Sequence, residues 1–183
     1  MKILIFGAGA VGDQAPSLTD DPRQAQVRYL GERLAQAAVD IAPEAVDSSP
    51  HRVAAVTEAW RLPSPQLRAG RARLPGWLGG RLLDPQARLH LVALGPWLLI
   101  GAPADVGVEV AADWRAAAEA RGFHPIVIGF SDDYIGYVLP AAAYDPSSYE
   151  GQMQFYGPGL AQAMTDVMVR LMDRLMVEHG NAH

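Results

Sequence analysis

The sequence contains no cysteine, which excludes disulfides, thiolate metal sites and cysteine nucleophiles and leaves the redox compartment open. No run approaches the ~18 apolar residues that a membrane-spanning helix needs. Positive charge is in deficit: 15 lysines and arginines face 20 acidic residues, for a net charge of −5. A nucleic-acid reader would show a basic face, so no nucleic-acid partner is expected. No internal repeat or low-complexity tract is visible. The five histidines, His51, His90, His124, His179 and His183, form neither a His-x-His nor a His-x-x-x-His pair, and each reads as structural or surface.

What is present is an ordinary globular composition. Half of the 183 residues are hydrophobic and 19% are charged, enough to bury a core, so 1–183 reads as a single domain. Ile3 to Val11 is apolar and follows Lys2, as a signal segment would. Gly7, Gly9 and Gly12 interrupt it and Asp13 follows at once, so Ile3–Phe6 reads as a buried strand that stops at the glycines, with a cytoplasmic location by default. Thr19-Asp-Asp-Pro22 reads as a helix start. Val27, Leu30, Leu34, Ala38 and Ile41 then form one buried face ending before Pro43.

Val53 to Trp60 reads as a strand. Residues 62–85, rich in proline and glycine, read as an irregular excursion; Arg68, Arg71, Arg73 and Arg81 lie near Trp77 and Leu78, which fits a solvated loop with an aromatic anchor or a membrane-surface or partner contact. Arg88–Ala93 and Trp97–Gly101 flank Gly95-Pro96 as two strands around a turn. Asp105 to Arg121 reads as a helix that Gly122 terminates and that Asp105 is placed to cap. His124–Phe130 and Tyr134–Leu139 read as strands. Gly159 to His179 reads as a helix whose stripe is Leu160, Met164, Met168, Leu171, Leu175 and Met176. The order implies an α/β or α+β fold, with helices packed on a mixed sheet.

Gly7, Gly9 and Gly12 match a dinucleotide fingerprint. That chemistry needs a helix to start at the glycines so that its N-terminus faces a pyrophosphate. Pro16 falls too late for the first turn of such a helix, Asp13 brings negative charge toward the anion, and no strand-ending acidic residue follows about 20 residues on.

Gly12-Asp13-Gln14-Ala15-Pro16 resembles the Gly-Asp-x-Ser-Pro segment of neutral/alkaline ceramidases. Gly101-Ala-Pro103-Ala-Asp105 resembles their Pro-x-Glu metal segment, and Gly129-Phe-Ser-Asp-Asp-Tyr134-Ile-Gly-Tyr137-Val138 their Gly-x-x-Asn-x-Tyr-x-x-Tyr segment. Ala143-Tyr144-Asp-Pro-Ser-Ser-Tyr149-Glu150 and Tyr156-Gly157-Pro158 resemble the tyrosine-rich run before their last helix. Order and spacing agree over nearly the whole chain, which resembles the C-terminal half of the catalytic domain. The resemblance implies a zinc-dependent amidase of N-acyl sphingoid lipids. Its metal is held by two histidines, a glutamate and a tyrosine, and its proposed nucleophile is the serine.

Residue by residue, the resemblance places Asp105 on the glutamate ligand and Tyr137 on the tyrosine ligand. Ala15 falls on the serine, with Asp13 nearby and Ser17 beyond the proline. Asp132, Asp133 and Tyr134 fall where they would line the site. The two histidines belong to a half that this sequence does not contain. The resemblance therefore implies a degenerate or split hydrolase, holding zinc only with a partner that supplies histidines. The alternatives are a non-catalytic, self-associating scaffold and a dinucleotide-binding protein using Gly7, Gly9 and Gly12.

Overall fold

The computed structural model describes residues 7–15, 23–41, 52–69 and 72–180. The chain forms two compact units: Met1–Phe6 with Ala15–Ser49, and Gly7–Gln14 with Pro50–His183. The expected strand at Ile3–Phe6, the cap at Thr19–Pro22, and His51 and His183 lie outside the described residues.

In the first unit, α1 spans Arg23–Ile41. Its apolar stripe does not form a buried face: Val27 is 71% exposed and Leu34 52%. Spacing selects which face of a helix would be buried, but burial needs a second surface laid against it.

The second unit is built on a four-stranded sheet in the order β1 (Val53–Arg61), β4 (Gln86–Leu94), β5 (Trp97–Gly101), β7 (His124–Ile128). β4 pairs antiparallel with β1 and β5, and β5 pairs parallel with β7. The sheet is thus mixed, as expected from the order of elements. Gly95 makes the β4–β5 turn with φ +57°. β4 alternates strictly: Ala87, Leu89, Leu91 and Ala93 are buried, while Arg88, His90, Val92 and Leu94 stand on the other face. On the buried face lie α3 (Val108–Glu119) and α5 (Leu160–Gly180). Leu160, Met164, Met168, Leu171, Met172 and Leu175 are solvent-free, so the expected α5 stripe is core along most of its length; Met176 is 40% exposed.

Residues 62–85 hold two small elements inside the excursion. A hairpin pairs β2 (Arg68–Ala69) with β3 (Ala72–Arg73), and α2 spans Gly76–Leu82. Beyond the main sheet, β6 (Asp105–Val106) pairs parallel with β8 (Tyr137–Val138), and α4 spans Tyr149–Met153. Asp105 therefore does not cap α3, which begins three residues later with Gly107 at its N-cap position. Asp105 lies two residues before the N-cap position because it pairs in β6, where its N–H donates to Gly136 O at 3.0 Å.

Candidate functional site

The site forms beyond the C-terminal ends of the parallel strands β5 and β7, where α/β sheets open a crevice between diverging connections. Three segments converge there. Residues 102–107 leave β5, residues 129–138 leave β7, and Gly7–Gln14 threads alongside both. Their backbones are tied directly: Ser131 N to Ala102 O at 2.8 Å, Ile135 N to Pro103 O at 2.8 Å, Gly129 N to Ala8 O at 3.0 Å and Gly12 N to Val106 O at 3.0 Å. Gly12 is needed for close approach. A Cβ there would sit 2.7 Å from Asp105 O, so the glycine serves packing against β6.

That approach brings Asp13 to the start of α3. Its Oδ1 accepts the Val108 N–H at 3.0 Å and satisfies one of the helix's free donors. Nothing in the sequence around Val108 points to a cap 95 positions away. The register of β6 and β8 sets Asp105 directly opposite Tyr137. Asp105 is 8% exposed, and its Oδ1 is a buried atom with no hydrogen-bond partner among the described residues. Such an orphan is rare enough in folded proteins to require a reason.

Burial pushes the Asp105 carboxyl above the usual carboxylate range; donation from the Tyr137 hydroxyl pulls it back, and the Asp13 charge adds to the rise. The Tyr137 hydroxyl is pushed up to about 12, first by burial and then by the Asp105 charge and hydrogen bond. Tyr134 is raised by burial, then by Asp105 and Tyr149. The rings of Tyr137 and Tyr149 meet edge to face at 5.9 Å. Asp13, Asp105, Tyr134 and Tyr137 are thus brought together. Ala15 is exposed and carries no hydroxyl.

Asp132 and Asp133 point elsewhere. Asp132 has φ +70° and its Oδ2 meets His90 Nε2 at 3.2 Å and Arg88 Nη1 at 3.8 Å, while Thr57 Oγ1 is 3.1 Å from His90 Nδ1. This chain of polar groups pins the 129–136 loop to the exposed face of the sheet. The group joins three elements far apart in sequence, so only the folded chain reveals it. Asp133 Oδ1 accepts the Tyr134 N–H at 2.7 Å and shapes its own turn. His124 packs its ring against Trp97, with centroids 5.1 Å apart. Gly7, Gly9 and Gly12 are followed by a turn at Gly12–Asp13 and, among the described residues, by no helix before Arg23.

Asp105→Asn is expected to raise the stability of the chain at neutral pH. The unfolded chain releases this proton near 3.8, whereas the folded chain holds it to higher pH. The protonated carboxyl contributes stability fully below the unfolded value and loses it as pH rises through the folded one. Denaturant titrations at pH 4 and pH 7 check this. The asparagine variant should gain more on the parent at pH 7, and an equal difference at both would contradict a buried, raised carboxyl.

These features define an α/β domain with a desolvated carboxylate–phenol pair at the mouth of a mixed sheet. Its fold is that of a neutral ceramidase partial domain. It is similar to neutral ceramidase from Pseudomonas aeruginosa, with a TM-score of 0.70 and 18% identity over 91% of this chain and 35% of that one. A second solved structure, described as ceramidase complexed with C2, matches with a TM-score of 0.66 and 18% identity over 86% of this chain and 35% of that one. The chain thus spans about a third of the length of the structures it resembles. No protein-family model matches the sequence, and no curated protein matches it by sequence.

Proposed function

We propose that this chain carries one part of a zinc amidohydrolase site of ceramidase type, completed by histidines from a segment that this sequence does not contain. The observation that carries the reading is Asp105, a buried carboxylate with an unpartnered oxygen set opposite Tyr137. One carboxylate and one phenol fit part of a zinc shell, which is closed by nitrogen ligands. Among the described residues no group of three or more His, Cys, Asp or Glu side chains gathers to hold a metal ion.

Asp105 and Tyr137 would hold the metal from one side. When bound, zinc supplies polarisation of an amide carbonyl and a more acidic water. Metal binding displaces the proton that burial favours on Asp105, so affinity rises with pH. Asp13 keeps the α3 N-terminus fixed beside Asp105 and adds negative charge that favours a cation. Ala15 cannot attack a carbonyl, which leaves water as the nucleophile. The amide of an N-acyl lipid is the substrate class that the fold supports by analogy.

Metal analysis of the purified chain, alone and co-expressed with a histidine-bearing product of a neighbouring gene, tests the reading. Alone, the chain should retain little zinc and hydrolyse ceramide poorly or not at all. Together the chains should hold about one zinc per complex and lose it on Asp105→Ala. Stoichiometric zinc with amidase activity in the isolated chain would overturn the division of ligands.

A second reading, a non-catalytic self-associating scaffold, is favoured by the outer face of the sheet. There Val92, Leu94, Trp97, Leu99, Ile126 and Ile128 are only half-buried. A concentration-independent monomer in sedimentation velocity would count against it.

A further inference from the structure

The excursion between β1 and β4 has no role in the site described above, yet it differs from the rest of the molecule in charge. Residues 62–85 contain Arg68, Arg71, Arg73 and Arg81 against the single acidic Asp84, a net charge of +3 in a chain whose total is −5. It is also tied down at its base. Leu62 N donates to Pro85 O at 2.9 Å, Gln66 N to Phe155 O at 2.6 Å, Leu74 N to Leu67 O at 2.9 Å and the Tyr156 hydroxyl to Asp84 O at 2.9 Å.

On this base, α2 is seated by Gly79. That residue is buried, and a Cβ there would lie 2.7 Å from Pro65 Cβ, so the helix backbone rests directly on the proline. The opposite side of the helix, half a turn round from Gly79, is occupied by Trp77 and Arg81. Trp77 is 67% exposed. The Arg81 guanidinium lies 5.9 Å from the centre of the Trp77 ring. Four residues apart on a helix, the two side chains stand side by side and reach outward together.

We propose that this face of α2 is a contact for an anionic lipid surface, with the Trp77 ring entering the headgroup–acyl boundary and Arg81 meeting lipid phosphates and carboxylates. Indole rings partition to that boundary because they are apolar bodies with a polar edge. Arginine lays its stem along apolar surface and keeps its charge at the headgroups. The sign of the charge selects the ligand. The acidic remainder of the chain would be repelled by an anionic bilayer, so a basic excursion with an exposed indole orients the molecule with α2 toward it. An anionic vesicle supplies both complements at once, a negative surface and an apolar layer beneath it.

The test is co-sedimentation of the full chain with vesicles of phosphatidylcholine alone and of phosphatidylcholine with 30% phosphatidylserine, at ~0.1 M and ~0.5 M salt. Binding should favour the anionic vesicles by about tenfold or more and should fall steeply at the higher salt. Trp77→Ala should weaken binding at both salt concentrations, whereas Arg81→Glu should weaken it by about tenfold chiefly at low salt. Both residues are exposed, so thermal melting followed by circular dichroism should match the parent and separate lost binding from lost folding. Equal binding to both vesicles, binding to neither, or parental binding by both variants overturns the proposal.

Discussion

Replacing Gly136 by alanine is expected to destabilise the second unit by about 3 kcal/mol or more. Gly136 has φ +88°, a left-handed conformation that costs a residue with a Cβ roughly 1–2 kcal/mol. The added methyl group would also overlap the Met153 carbonyl oxygen and lie 2.9 Å from Cδ2 of Phe155. The carbonyl belongs to the backbone and cannot swing aside. Relief must come from the strand that carries Tyr137, or from the Asp105 N–H that Gly136 O accepts at 3.0 Å. The site and the stability should therefore fail together. Gly122→Ala separates the two contributions: Gly122 has φ +83°, but a methyl group there would meet nothing within 4 Å. Equal losses of unfolding free energy in the two variants would show that overlap at Gly136 adds nothing.

Trp114→Ala should cost about 3–5 kcal/mol. The indole is fully buried in the core between the sheet and α5, and its Nε1 donates to Thr165 Oγ1 at 2.9 Å. Truncation opens a large cavity in a close-packed layer and strips the hydroxyl of its donor. Trp114→Phe keeps most of the ring and loses the hydrogen bond, so its cost should fall well below that of the alanine variant. Chemical denaturation of both variants checks the ordering. A Trp114→Ala loss under about 1 kcal/mol would mean that α3 and α5 close over the gap. The expected unfolding of α3 packing also threatens its N-terminus, where Asp13 holds Val108.

Much of the second unit was legible along the chain because its signals are local. The alternation from Gln86 to Leu94, the turn at Gly95 and the stop at Gly122 each depend on a few neighbouring residues. The α5 stripe repeats every three or four residues, and a helix forces such residues onto one side. α1 shows the limit of the same logic. Its stripe is equally regular, yet Val27 and Leu34 stand in solvent, because periodicity supplies an apolar face without a surface to cover it.

The candidate site was legible only in its parts. Asp105 and Tyr137 stand out by resemblance, but Asp105 looks like a helix cap when only its neighbours are considered. Asp132 and Asp133 sit within five residues of Tyr137, and the left-handed turn at Asp132 carries that carboxylate away to His90. Chain chemistry alone is enough to specify the four main strands, α3 and α5 of the second unit, the α5 core stripe and the absence of any cysteine chemistry. The pairing of Asp105 with Tyr137, the burial that leaves Asp105 Oδ1 without a partner, and the transfer of the capping role to Asp13 arise in the folded molecule. The cause is the same in each case: the deciding contact joins segments tens of residues apart, and its strength comes from excluding water, which no local run of sequence encodes.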